Sequence, residues 1–210
     1  MAAEPIDFDF IENARKPIGD DGRRILDHMN EEHSPLTEWG FSHIHFGDKV
    51  LDIGCGGGNA LRLALHASPE SDFFGIDYSD IAIEKATGFN GEAVMSGRLK
   101  LQKASVSRLP FQDHVFDTVY SVESYFFWPD LPHDLREIAR VTKKGGTLTL
   151  IVEMVAGDMS ERHEKISEHL GMNILAPDDL KAELENAGYR DVACDWDKEK
   201  GWLTIQGTAK

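Results

Sequence analysis

Gly54, Gly56, Gly57 and Gly58 follow the run Val50-Leu51-Asp52-Ile53 and lead into Asn59-Ala60-Leu61-Arg62-Leu63-Ala64-Leu65. An apolar, β-branched run that stops at glycines and passes at once into a helical pattern reads as a strand, a tight turn and a helix. Glycine has no Cβ, so such a turn can take positive φ and bring backbone close to a ligand. The N–H groups at the start of the helix have no intrahelical partner and point at whatever sits in the turn. Nineteen residues beyond Gly58, Asp77 ends a second apolar run, Phe73-Phe74-Gly75-Ile76. A carboxylate about that far on can accept hydrogen bonds from ribose hydroxyls. Together these features predict a pocket for an adenosine-type cofactor.

The dinucleotide fingerprint G-x-G-x-x-G fits Gly54 and Gly56 but needs a small residue at 59, where Asn59 stands. The spacing Asp52-x-Gly54-x-Gly56-x-Gly58 instead resembles motif I of the class I S-adenosylmethionine-dependent methyltransferases. Asp77-Tyr78-Ser79 resembles that family's second acidic loop. Leu109-Pro110-Phe111 followed by Phe116-Asp117-Thr118-Val119 resembles its approach to the fourth strand, and Val141 to Leu148 its helix end, turn and fifth strand. The resemblance runs from about Val50 to the C-terminus, with the four motifs in the family's order. It implies an enzyme of class EC 2.1.1.-, with S-adenosylmethionine as cofactor and S-adenosylhomocysteine as product. No Asn-Pro-Pro-Tyr-type signature follows the fourth strand, which counts against amino-group methylation of nucleic acid or glutamine. The acceptor expected is a small molecule.

The resemblance also implies roles for particular residues. Asp52 is expected near the amino group of the methionine moiety, often through water; the alternative is a strand-end carboxylate that holds the turn together. Gly54, Cys55, Gly56 and Gly58 form the turn whose backbone meets the methionine portion. Asp77, with Tyr78 beside it, is expected to take both ribose hydroxyls; its alternative is to cap the next helix, although Ser79 and Asp80 can do that. The adenine end falls at Ser105-Val106, where the family often has Asp-Ala. A hydroxyl or backbone group there can accept from the adenine amino group, and Val106 can line the ring.

Acceptor residues are expected after the fourth strand, in Ser121-Val122-Glu123-Ser124-Tyr125-Phe126-Phe127-Trp128-Pro129, because ligands of open α/β sheets bind beyond the carboxyl ends of the strands. Glu123 is the candidate for a polar or catalytic role, with Tyr125 and Trp128 as substrate-binding aromatics. Aromatic walls suit a flat or apolar substrate and also a sulfonium, by cation–π attraction. The competing reading packs at least two of Phe126, Phe127 and Trp128 against the next helix. Met29 to Trp39 reads as a lid of the kind this family adds before motif I. Within it His33 is a candidate base or a structural residue at a helix end, and Met29 and Trp39 are packing residues.

The elements that must position these groups alternate along 210 residues, enough for one full α/β core. Strands are expected near 49–53, 72–77, 99–104, 115–121 and 146–154. Helices are expected near 57–67, 79–95, 130–142, 160–170 and 177–187, with three glycines between 88 and 97 threatening the second. Residues 1 to about 20 read as an irregular arm, and 20–39 as helical with an interruption at Pro35. Two extended runs, 191–196 and 202–208, joined by a polar loop ending in Gly201, read as a terminal hairpin. The fold expected is α/β, a Rossmann-like seven-stranded, mostly parallel sheet with a C-terminal antiparallel hairpin and helices on both faces. Residues 1–45 would form the arm and helical lid, and 46–210 the catalytic domain.

Composition narrows the partners. Thirty-seven acidic against 22 basic residues give a net charge of −15, which repels a phosphate backbone, so no nucleic acid is expected. No apolar run reaches the roughly 18–20 residues that span a bilayer, so no membrane is expected either. Met1-Ala2-Ala3-Glu4-Pro5 does not read as a secretory signal. Cys55 and Cys194 read as reduced thiols in a cytoplasmic protein, a monomer or homodimer. The nine histidines show no His-x-x-x-His pair and there is no Cys-x-x-Cys, so no metal is expected from spacing. Asn59 and the hairpin count against a nicotinamide-dependent oxidoreductase; a non-catalytic S-adenosylmethionine-binding protein and a protein methyltransferase stay open.

Overall fold

The computed structural model describes residues 6–210; the polar segment 1–5, and the reading of it given above, lie outside the described residues. Three helices come first: α1 (Phe8–Arg15), α2 (Gly19–Glu32) and α3 (Ser34–Phe41). The alternating part runs β1 (Lys49–Ile53), α4 (Asn59–Ala67), β2 (Asp72–Asp77), α5 (Asp80–Phe89), α6 (Gly91–Met95), β3 (Leu99–Lys103), β4 (Phe116–Val122), α7 (Leu131–Val141) and β5 (Thr142–Val152). Two further helices, α8 (Glu161–Leu170) and α9 (Pro177–Asn186), precede the hairpin of β6 (Tyr189–Asp197) and β7 (Trp202–Ala209).

The strands form one seven-stranded sheet in the order β3-β2-β1-β4-β5-β7-β6. β1 to β5 pair in parallel, and β7 runs against both β5 and β6, with Leu150 opposite Ile205. Strands covered on both faces read as continuous apolar runs, and the four residues from Val50 to Ile53 are all buried. One core contains Leu51, Val119, Leu135, Leu148 and Leu180, and the other contains Val50, Leu61, Phe73, Tyr120 and Ile151. Leu36 and Phe41 of α3 belong to the second core, so the lid segment is anchored in the sheet's own packing.

Three expectations change. The arm is not irregular throughout: Asp7 accepts from the backbone N–H of Phe10 and caps α1, whose short length and lack of buried residues left little apolar period to read. The helix expected over 79–95 is broken at Asn90, whose Nδ2 donates to the carbonyls of Gly58 (2.9 Å) and Ala86 (3.1 Å). β5 begins at Thr142 rather than 146. Thr142 pairs with Phe116 and Thr147 with Thr118, and the Gly145-Gly146 bulge between them takes up the extra residues.

Candidate active site

The carboxyl ends of β1, β2, β4 and β5 bring the chemically interesting residues together. At the end of β1 the N–H groups of Gly54 and Cys55 both donate to the carbonyl of Ile76, at 2.9 and 3.0 Å. Gly54 has φ +76°, and a Cβ there would lie 2.6 Å from Ser124 Oγ, so the turn admits only glycine at this point. Asp77 clamps the turn: its Oδ2 accepts from Gly56 N–H at 3.0 Å and its Oδ1 from Ser79 N–H at 2.9 Å. Burial pushes the Asp77 carboxyl upward, and the backbone N–H groups of Ser79, Gly56 and Tyr78 pull it back. Ser79, not Asp77, caps α5, accepting from Ala82 N–H.

A cavity of about 340 Å³ opens over this turn. Gly54, Gly56 and Asp77 lie on one side, Ser105 and Val106 on another, and Glu123, Ser124 and Trp128 on a third. Residues of α2 and of the preceding arm complete it, and the Tyr78 hydroxyl donates to the carbonyl of Arg15 in that arm. A side pocket of about 50 Å³ lies behind the turn, lined by Asp52, Cys55 and Asn59 among others. Asp52 is 1% exposed and its Oδ2 has no hydrogen-bond partner among the described residues. Burial pushes this carboxyl up to about 8; the Tyr120 hydroxyl lowers it and Asp77 raises it.

A second cavity, of about 390 Å³, meets the first at Met29, His33, Glu123 and Phe127. Its far wall is α8, through His163, Ile166 and Leu170, with Met154 and Met172 beside it. Glu123 follows β4 with φ +50°, a conformation that side-chain-bearing residues rarely take. The strained backbone places its Oε1 2.6 Å from the N–H of Glu153, which it accepts. Burial pushes the Glu123 carboxyl well above the usual range, and Glu153 raises it further. Glu153 is itself pushed up by burial, with Glu32 adding to it. His33 Nε2 stands 3.8 Å from Glu153 Oε1. Burial, with His28 adding, holds His33 down to about 4, so at neutral pH the imidazole is uncharged and its contact with Glu153 is not an ion pair.

Residues 51–150 match the model of a methyltransferase domain family. The 27-O-demethylrifamycin SV methyltransferase of Amycolatopsis mediterranei is 33% identical over 157 residues, covering 71% of this chain and 56% of that protein. The uncharacterized methyltransferase YdaC of Bacillus subtilis is 26% identical, over 87% of this chain and 94% of its own. The chain spans about half the length of several curated relatives it matches. Among solved structures, the putative methyltransferase in a complex with the Haloferax volcanii Trm112 methyltransferase activator shares the fold, with TM-score 0.79, 24% identity and 99% of each chain covered. The chain belongs to the class I S-adenosylmethionine-dependent methyltransferases. The cofactor of this family is S-adenosylmethionine.

The residues of this methyltransferase chain fit that group. A buried, unpartnered carboxylate oxygen at Asp52 suits an ammonium, and the glycine turn offers backbone without a Cβ on the cavity side. The Asp77 oxygens accept from Gly56 N–H and Ser79 N–H, and the carboxylate has acceptor capacity left for a hydroxyl. Of the cofactor residues expected from sequence, Gly54, Gly56, Asp77, Tyr78, Ser105 and Val106 line the first cavity. Asp52 and Cys55 line the side pocket instead. Gly58 faces none of the three cavities: a Cβ there would meet Asn90 and Ala86, so its φ of +86° serves the packing of α5.

On the acceptor side Glu123, Trp128 and His33 reach the cavities, while Tyr125 does not. Tyr125 is 2% exposed in the core, and its hydroxyl accepts from Leu175 N–H at 3.1 Å. Phe126 and Phe127, alternatives for packing alone, both line the second cavity, and Met29 lines all three. Trp39 packs on His43 and Trp202. Sequence reasoning missed Glu153 and the α8 wall. An acid just past the end of a parallel strand was the available signal for Glu153; α8 carries no local signature. Both cysteines are free, Cys55 buried and Cys194 exposed, and no helix among the described residues is long and apolar enough to cross a membrane.

Proposed function

We propose that this chain transfers a methyl group from S-adenosylmethionine to a small-molecule acceptor seated in the second cavity. The observation that carries the reading is the meeting of two cavities at Glu123 and His33, one over the glycine turn and Asp77, the other walled by apolar and ionisable side chains. When bound, the cofactor supplies a methyl group on a sulfonium, an activated leaving group. The acceptor atom forms the new bond to carbon as the carbon–sulfur bond breaks and S-adenosylhomocysteine departs.

The chain's own part is to orient and to exclude water. In this reading Asp52 holds the ammonium, Asp77 the ribose hydroxyls, and Ser105 and Val106 the adenine. Helices α1 to α3 act as the cover. Glu123 orients the acceptor and takes its proton where the acceptor atom carries one; a carboxyl raised by burial is a stronger base than a His33 held near 4. Trp128 walls the reacting groups. The name of the Amycolatopsis relative, a methyltransferase of a small molecule, supports the substrate class.

Calorimetry of the purified protein with S-adenosylmethionine and S-adenosylhomocysteine, followed by labelled methyl transfer to separated small-molecule and protein pools, tests the reading. Micromolar binding of both and label in the small-molecule pool support it. Label in the protein pool alone overturns the acceptor class, and binding without transfer to either pool makes the chain a non-catalytic binder.

A further inference from the structure

Three side chains from three different elements converge where the two cavities join. His33 caps α2, Glu123 follows β4 and Glu153 follows β5. One ligand-competent atom from each lies within 4.8 Å of the others. His33 Nε2 and Glu153 Oε1 are 3.8 Å apart. A tetrahedral shell with bonds of about 2.0–2.2 Å places neighbouring donors roughly 3.4 Å apart, so modest side-chain adjustments close the set around an ion.

The surroundings favour a cation. Glu123 is 7% exposed, and among the described residues its only hydrogen bond takes the backbone N–H of Glu153 on Oε1. That bond fixes the carboxylate's direction and leaves Oε2 for a ligand, as the outer partners of metal-binding carboxylates do. Two carboxyl groups and an imidazole meet here between the helix and the strands. A mixed nitrogen and oxygen donor set suits first-row divalent ions. Glu123 and His33 also line both larger cavities, so positions on a bound ion would face the acceptor.

We propose that His33, Glu123 and Glu153 hold one divalent transition-metal ion at the junction of the cavities, with its open positions facing them. The binding site stands on its own geometry; its part in the reaction rests on the reading of methyl transfer given above.

The test is titration of the tag-free, full-length protein with Co2+, followed by visible absorption and by calorimetry. The wild type is expected to bind one Co2+ with ligand-field bands, and Glu153→Gln and His33→Ala each to weaken that binding at least tenfold. Glu153 does not line the cofactor cavity, so Glu153→Gln should keep its affinity for S-adenosylmethionine within twofold, which shows that the fold is intact. Equal Co2+ binding by wild type and Glu153→Gln, or none by either, overturns the site. Because metal and cofactor binding are read separately, failure of the ion site leaves methyl transfer to be judged on its own assay.

Discussion

Asn59 Nδ2 donates to the carbonyl of Asn30 at 2.8 Å and to Ser34 Oγ at 2.7 Å, so the residue that departs from the dinucleotide pattern is the one that pins α2 and α3 to the glycine turn. Asn30 answers with a 3.3 Å hydrogen bond from its Nδ2 to the carbonyl of Gly57, where a Cβ would lie 2.6 Å from that nitrogen. Turn and cover are therefore built as one unit, and the cavity over the turn depends on both.

Asn59→Ala removes both donors from a buried site. Losing such bonds costs about 1–2 kcal/mol, and if the cover closes on the cofactor the loss appears as a 5- to 30-fold fall, to order of magnitude, in affinity for S-adenosylmethionine. Calorimetry checks it. Unchanged affinity in a folded variant would show that α2 and α3 hold the fold but not the ligand.

Asp77→Ala should weaken S-adenosylmethionine at least tenfold and lower the melting temperature as well. The carboxylate takes backbone N–H groups from Gly56 and Ser79, and hydrogen bonds to charged groups contribute about 1.5–3 kcal/mol each. Asp77→Asn keeps one carbonyl acceptor and should fall between the two. Wild-type affinity in Asp77→Ala would remove the ribose role and leave only the clamp.

Asp52 gives a pH signature. Its folded value of about 8 lies above the unfolded carboxyl near 3.8, so between those values the folded state holds a proton that the unfolded state has lost. Stability from this group is complete below about pH 4 and falls by up to about 1.4 kcal/mol per pH unit until about pH 8. His33, held near 4 instead of 6.5, works in the opposite direction between those values. The difference between Asp52→Asn and wild type isolates Asp52. In urea melts without cofactor, the variant should gain on wild type steadily from pH 4 to 8; parallel curves would mean that Asp52 ionises normally.

What could be read from sequence depended on how local the signal was. The glycine turn, Asp77 and the hairpin around Gly201 lie in continuous stretches whose period or turn chemistry is set by neighbouring residues. Tyr125 lies in the core and not on a cavity, which the sequence did not show because alternation after β4 is lost in a short 3-10 turn, Tyr125–Phe127, and nothing nearby tells which aromatic faces the core. Glu153 was missed for a different reason: its partners are 30 and 120 residues away, and only the parallel pairing of β4 with β5 brings the ends of those strands together, so its position at a strand end was the one local sign. The absence of metal-ligand spacing in sequence is subject to the same limit, since His33, Glu123 and Glu153 share no segment.

Glu123→Gln tests the acceptor side most directly. A residue with a side chain at φ +50° carries a backbone cost of about 1–2 kcal/mol, and such strain persists where the surroundings hold it for a purpose. Here the purpose is direction: Oε1 meets the N–H of Glu153 at 2.6 Å and the carboxyl borders both cavities. The amide keeps the size and one acceptor oxygen, so the fold and the glycine turn should be undisturbed. It cannot take a proton or carry charge. Proton transfer by a placed side chain accounts for about 10²–10⁴ in rate, so kcat on the acceptor found in the pool screen should drop at least a hundredfold, with affinity for S-adenosylmethionine changing much less. Full turnover by Glu123→Gln would remove Glu123 from the catalytic set and leave its strained backbone to be explained by packing alone.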